Sequence, residues 1–139
     1  MDEATVKAKM AAALECVQRS RLAEAFGWAI DVSGLDAFVS MSPRKHRERA
    51  YLLKVNFDDF PRQPPSFVFV DAETRSISSE AWPPKVKHGQ QPDGICVAGT
   101  RECHAHYHKN EAQYVWDPKK WSLLYTLAEI NRLMEKGQR

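Results

Sequence analysis

An α+β fold is predicted by three features of the sequence: an amphipathic helical pattern near the start, four short β-type runs in succession, and a second apolar helical face near the end. The order is helix, four strands, long loop, helix. Strands that follow one another with turn-length links make an antiparallel meander, and helices outside the meander are available to cover one of its faces. A chain of 139 residues suffices for one core, so 1–139 is read as a single domain.

The first helix is expected over about 3–25. Val6, Met10, Leu14, Val17 and Leu22 recur at near-helical spacing, while Lys7, Lys9, Glu15, Arg19 and Arg21 occupy the polar side. Gly27 is a stop signal. Strands are expected over 28–32 and 37–41, either side of a Ser33-Gly34 turn, then over 51–57 and 67–70. The charged run 43–47 reads as a solvated hairpin loop. Between the third and fourth strands, Phe60-Pro61-Arg62-Gln63-Pro64-Pro65 carries three prolines within five residues. Without their amide hydrogens the chain cannot join a ladder there, so it crosses over in a stiff, extended loop. From Asp71 to about Tyr114 no periodicity is sustained, and loops of that length are usually functional or disordered. Order returns after Trp116-Asp117-Pro118, where Leu123, Leu124, Leu127, Ile130, Leu133 and Met134 line one helical face. Asp117 is the expected N-cap, with Pro118 in the first turn.

Composition excludes several function classes. A formal net charge of +2 is near balance and lacks the basic excess of a nucleic-acid binder. No stretch approaches the roughly 20 apolar residues of a membrane span. The opening Met1-Asp2-Glu3 is acidic, unlike a secretory signal. Three cysteines, none in a Cys-x-x-Cys pair, argue against a disulfide framework and for a reducing, cytoplasmic setting.

Cys96 stands in Pro92-Asp93-Gly94-Ile95-Cys96-Val97, inside the long loop. A cysteine placed after a tight turn and between apolar neighbours can be held rigidly with its sulfur toward a groove. The plainer alternative is a buried, inert thiol. Cys16, within the first helix, fits that alternative as core or helix flank, and Cys103 is intermediate. A second cluster follows in Cys103-His104-Ala105-His106-Tyr107-His108. In an extended segment His104, His106 and His108 share one face. Cysteine and histidine are zinc ligands, which makes Cys103, His104, His106 and His108 a candidate metal set. Spacing this tight rarely lets four side chains reach one tetrahedral centre, so no metal and no cofactor is the expectation. His104 and His106 are candidates instead for oxyanion or proton-transfer support, or for loop-ordering hydrogen bonds, near Cys96. A polar surface loop is the third reading.

Three words of the chain stand in order: Asp58-Asp59-Phe60-Pro61 with Pro64-Pro65 and Phe67-Val68-Phe69, then Gly94-Ile95-Cys96-Val97, then Trp116-Asp117-Pro118 before a helix. Together they resemble the signature of the ubiquitin-conjugating enzyme (UBC) superfamily. In that family an aromatic-proline step precedes a double proline and a strand, Gly-x-Ile-Cys-Leu bears the active cysteine, and Trp-Ser-Pro leads into the helix behind it. The resemblance covers essentially 3–136. It implies a UBC-like fold, with an N-terminal helix, a four-stranded antiparallel meander, a long active-site loop and a C-terminal helix packed on the sheet.

The resemblance also implies an activity. An activating enzyme passes the C-terminal carboxyl of a ubiquitin-like protein to Cys96 as a thioester, and an acceptor amine then attacks it, without metal or nucleotide at this step. Lys7, Lys9 and Arg19, on the first helix, are the implied contacts for the activating enzyme. Asp117 falls where some relatives place an acidic residue along the acceptor path, with helix capping as its simpler role. The family's His-Pro-Asn before the cysteine is missing here. Counting back without gaps puts His88 at the asparagine position, as a substitute donor for the oxyanion. Bacterial members are often trimmed after the helix and lack the tripeptide, and this chain resembles that branch. Those members are encoded beside an activating enzyme, a ubiquitin-like protein and a deconjugating metalloprotease, in systems linked to defence against phage. Three other readings stand beside this one: an inactive module that binds a ubiquitin-like protein, a zinc protein using 103–108, and a cysteine hydrolase with His104 or His106 as base.

Overall fold

The structure, a computed structural model, describes residues 2–86 and 94–138. Asp2 opens the first helix by accepting the Thr5 amide at 2.8 Å, one of the amides that no helical carbonyl can reach. Helix α1 runs Glu3–Gln18 and buries Val6, Met10, Leu14 and Val17, four of the five residues of the expected apolar face. The single helix expected over 3–25 is in fact two. Ser20 takes an extended backbone, its hydroxyl donates to the Val17 carbonyl at 2.7 Å, and the same oxygen accepts the Ala23 amide at 3.2 Å. One serine thus closes α1 and caps α2, Arg21–Phe26. The break turns Leu22 outward, to 38% exposure. Gly27 ends α2 in the left-handed region (φ 70°), as a stop glycine should.

The strands are β1 (Ala29–Ser33), β2 (Asp36–Met41), β3 (Tyr51–Asn56) and β4 (Ser66–Val70), antiparallel in the order β1-β2-β3-β4. Ser33 pairs with Asp36, leaving Gly34 and Leu35 as the turn. Alternation then sorts the side chains: Ala37, Val39, Met41, Leu53, Val55, Phe67 and Phe69 are all buried and share one cluster with the apolar face of α1 and with that of the last helix, α3 (Leu123–Lys136). On the opposite face the Arg75 guanidinium lies over the Phe38 ring at 4.2 Å.

Helix α3, Leu123–Lys136, buries Leu123, Leu127, Ile130 and Met134 on the predicted face, and Asn131 accepts the Trp28 indole N–H at 2.9 Å. Its start corrects the sequence reading. Asp117 does cap, but it caps a single turn: its carboxylate accepts the Lys119 amide at 2.9 Å and its carbonyl accepts the Lys120 and Trp121 amides. That turn buries Trp121, after which Ser122, extended at ψ 155°, becomes the true N-cap. Burying an indole outweighs extending the helix by one turn. Among the described residues of 71–114 the chain is irregular, as predicted, apart from two short 3₁₀ turns and one π-helical turn, Glu102–Tyr107. Among the described residues no helix is long and apolar enough to cross a membrane.

Candidate active site

Cys96 is held from both sides by its neighbours. The Ile95 amide donates to the Phe67 carbonyl at 3.0 Å, hooking the segment to the edge of β4, and the Ile95 side chain is buried in the core. Thr100, fully buried, donates from its hydroxyl to the Ile95 carbonyl at 2.7 Å and accepts the Cys103 amide at 3.1 Å. One hydroxyl therefore ties the segment before Cys96 to the turn after it. Gly94 is needed for the same packing, because a Cβ there would overlap the Glu102 side chain. The Glu102 carboxylate accepts the Phe67 amide at 3.0 Å and the Ser66 hydroxyl at 2.5 Å, and burial pushes its pKa up.

The three sequence words meet in space. Arg101 donates from its amide to the Pro65 carbonyl at 2.7 Å and from its guanidinium to the carbonyls of Pro64 and Asp58. The Trp116 indole donates to the Pro61 carbonyl at 2.9 Å. Carbonyls of a proline-rich loop have no ladder partners, so these donors from Arg101 and Trp116 supply them.

His104 is the keystone of the loop. Its Nε2 accepts the Gly99 amide at 2.9 Å and its Nδ1 donates to the Tyr114 carbonyl at 2.6 Å. That pair of bonds selects the neutral Nδ1–H tautomer, and burial holds the ring's pKa below its ordinary value. The ring packs against Trp121 at 4.3 Å, Trp116 at 5.5 Å and Tyr114 at 5.9 Å. Gly99 sits at φ 102°, and a Cβ on it would run into the Thr126 hydroxyl. Both nitrogens of His104 are engaged in hydrogen bonds that order the loop, the structural one of the roles the sequence offers for it.

The histidines do not alternate along an extended strand. The π-helical turn closes with the His108 amide donating to the Cys103 carbonyl at 2.8 Å, a five-residue step that stacks 103 under 108. Cys96, half-buried, joins them: its Sγ, the Cys103 Sγ and a ring nitrogen of His108 all lie within 4.8 Å of one another. The His108 ring stacks on Tyr114 at 4.5 Å, and its Nδ1 bonds to the Glu111 carboxylate. Burial raises the Cys96 pKa, opposed by a hydrogen bond from Cys103 and reinforced by the charges of Glu102 and Glu111. Burial, with Cys96 alongside, pushes the Cys103 thiol up to about 12.

The remaining sequence candidates scatter. His106 is exposed, beside Tyr107, and lines a shallow hollow with Gly94 and Glu102. Asp117 is exposed and engaged with the Lys119 amide. Lys7, Lys9 and Arg19 lie on the solvent side of α1, where Lys7 pairs with Glu3 and Arg19 with Glu15. Cys16 is exposed rather than core and lines an apolar hollow with Phe60, Pro65, Trp116 and Trp121. His88 lies outside the described residues. The sequence reading missed Glu111 as the partner of His108 and did not pair His108 with Cys96. The i,i+3 spacing of His108 and Glu111 was the one available signal. No protein-family model matches this chain, and no curated protein is similar to it.

Proposed function

We propose that this protein is a ubiquitin-conjugating-type transferase of UBC-like fold, which accepts a ubiquitin-like protein from an activating enzyme as a thioester on Cys96 and passes it to an acceptor amine. The observation that carries the reading is a half-buried cysteine on a braced loop with the His108–Glu111 pair beside its sulfur. The convergence of the proline-rich, cysteine and tryptophan words around that loop supports it further.

With Nδ1 bonded to Glu111, the Nε2 lone pair of His108 is free to take a proton. As Cys96 attacks the incoming thioester carbonyl, its thiol proton passes to His108, and the departing thiolate of the activating enzyme recovers that proton. In the second step the acceptor amine attacks the Cys96 thioester. The amine's proton goes to His108 and then to the leaving Cys96 sulfur, which restores the starting state. Thiolates leave more readily than alkoxides, so a thioester lets one difficult acyl transfer proceed as two easier ones. Lys7, Lys9 and Arg19 are the proposed contacts for the activating enzyme. Asp117 is the proposed side chain along the acceptor path, and His106 is proposed as proton-transfer support. A cytoplasmic, bacterial conjugation pathway directed against phage, with a deconjugating metalloprotease as the reversing enzyme, is the setting this reading favours.

Incubation with an activating enzyme, ATP and the ubiquitin-like protein is expected to give an adduct that thiol reductants release. No such adduct with any modifier from the same operon overturns the proposal. His108→Ala is expected to slow both loading and discharge by about 10²-fold, the usual contribution of a positioned proton carrier. Wild-type rates in that variant would remove His108 from the mechanism. The same cysteine, histidine and glutamate also suit a cysteine hydrolase, in which water replaces the amine. A dependence of the adduct on ATP and the activating enzyme separates the two.

A further inference from the structure

We infer that Cys96, Cys103 and His108 form a binding site for zinc, which keeps Cys103 and His108 of the set the sequence suggests and takes Cys96 in place of His104 and His106. Among the described residues this trio is the one group of three metal-ligand side chains whose donor atoms converge, all within 4.8 Å. Two thiolates and an imidazole match the soft, nitrogen-and-sulfur preference of that ion. In a tetrahedral site with Zn–S near 2.3 Å, neighbouring sulfurs stand about 3.8 Å apart, so closing the sulfur pair from within 4.8 Å needs at most about 1 Å of movement.

The backbone explains why these three meet and the other histidines do not. The π-helical turn sets Cys103 and His108 one turn apart, and Thr100 bridges the Cys96 segment to the same turn. His104 has both nitrogens committed elsewhere, and His106 faces solvent. A further observation points to a ligand. The Glu111 carboxylate bonds to Nδ1 of His108, the arrangement that orients a metal-binding imidazole and leaves Nε2 for the ion. Binding releases the two thiol protons to solvent and leaves the fourth corner to water. Because Cys96 is a ligand, a zinc-loaded chain cannot be acylated. Only this competition rests on the transferase reading.

The test uses the reduced protein alone. Zinc titrated against a chromogenic chelator is expected to bind at one equivalent per chain, and cobalt to give a near-ultraviolet thiolate-to-metal absorption band. Cys103→Ser and His108→Ala should each weaken zinc binding at least tenfold, whereas Cys16→Ser should bind like the wild type. Bound zinc should also protect Cys96 from alkylation by iodoacetamide, read by peptide mass spectrometry. His108 is half-exposed, so its variant keeps the test decisive if the buried Cys103 substitution fails to fold. Absence of the cobalt–thiolate band overturns the site, as does equal zinc affinity in His108→Ala. No activating enzyme enters the titration, so its failure and the failure of adduct formation are separate results.

Discussion

Cys96→Ala is expected to abolish the adduct completely, and Cys96→Ser to give either no adduct or an ester that withstands thiol reductants. The reasoning is chemical. An oxygen nucleophile is far weaker than sulfur near neutral pH, and an oxygen ester, once formed, exchanges poorly with thiols. Cys16 and Cys103 are the competing sulfurs. Cys16 lines a different hollow, on α1, and Cys16→Ser should load normally. Cys103 is 1% exposed, and burial with Cys96 alongside pushes its thiol up to about 12, which keeps it protonated at neutral pH. A buried, protonated sulfur is a poor attacker on a carbonyl carried by another protein. An adduct that survived Cys96→Ala and vanished in a Cys103 variant would move the nucleophile and defeat the assignment.

His104→Ala is expected to lower stability by about 3–4 kcal/mol. The substitution strands the buried Gly99 amide and the Tyr114 carbonyl, each costing about 1–3 kcal/mol, and empties a space walled by Tyr114, Trp116 and Trp121. For a chain of this length that corresponds to a melting temperature about 10 °C lower. Proteolysis should also reach the loop sooner, because the latch holding 99 to 104 and 114 is gone. A melt within 2 °C of the wild type would show that His104 does not brace the site. The effect should be felt at Cys96 as well, since Thr100 and Gly99 hold its segment through the same turn.

Much of the fold was legible because burial repeats with a local period. Val6, Met10, Leu14 and Val17 on α1, and Leu123, Leu127, Ile130 and Met134 on α3, fall where a 3.6-residue repeat puts them. Ala37, Val39 and Met41 on β2, Leu53 and Val55 on β3, and Phe67 and Phe69 on β4 share the core face as a two-residue repeat demands, while Phe38 and Val70 are buried as well. The helix boundaries at Ser20 and Ser122 were less legible, because a serine inside an apolar pattern is ambiguous until its hydroxyl finds a partner. Asp117 carried a true capping signal, but the cap served a turn that Trp121 burial cut short.

The site divides the same way. Cys96 was singled out from its own flanking residues, adjacent in the chain, and from the other two words read beside them. Its partners were not, because nothing local announces a π-helical turn, and alternation along a strand would have sent His108 elsewhere. Which histidine braces and which faces the sulfur depends on hydrogen bonds between segments far apart in sequence, such as Arg101 to Pro64 and Trp116 to Pro61. Periodicity encodes which face a residue turns toward the core. The meeting of two irregular loops is set by the sum of many nonlocal contacts, and no single residue carries that sum.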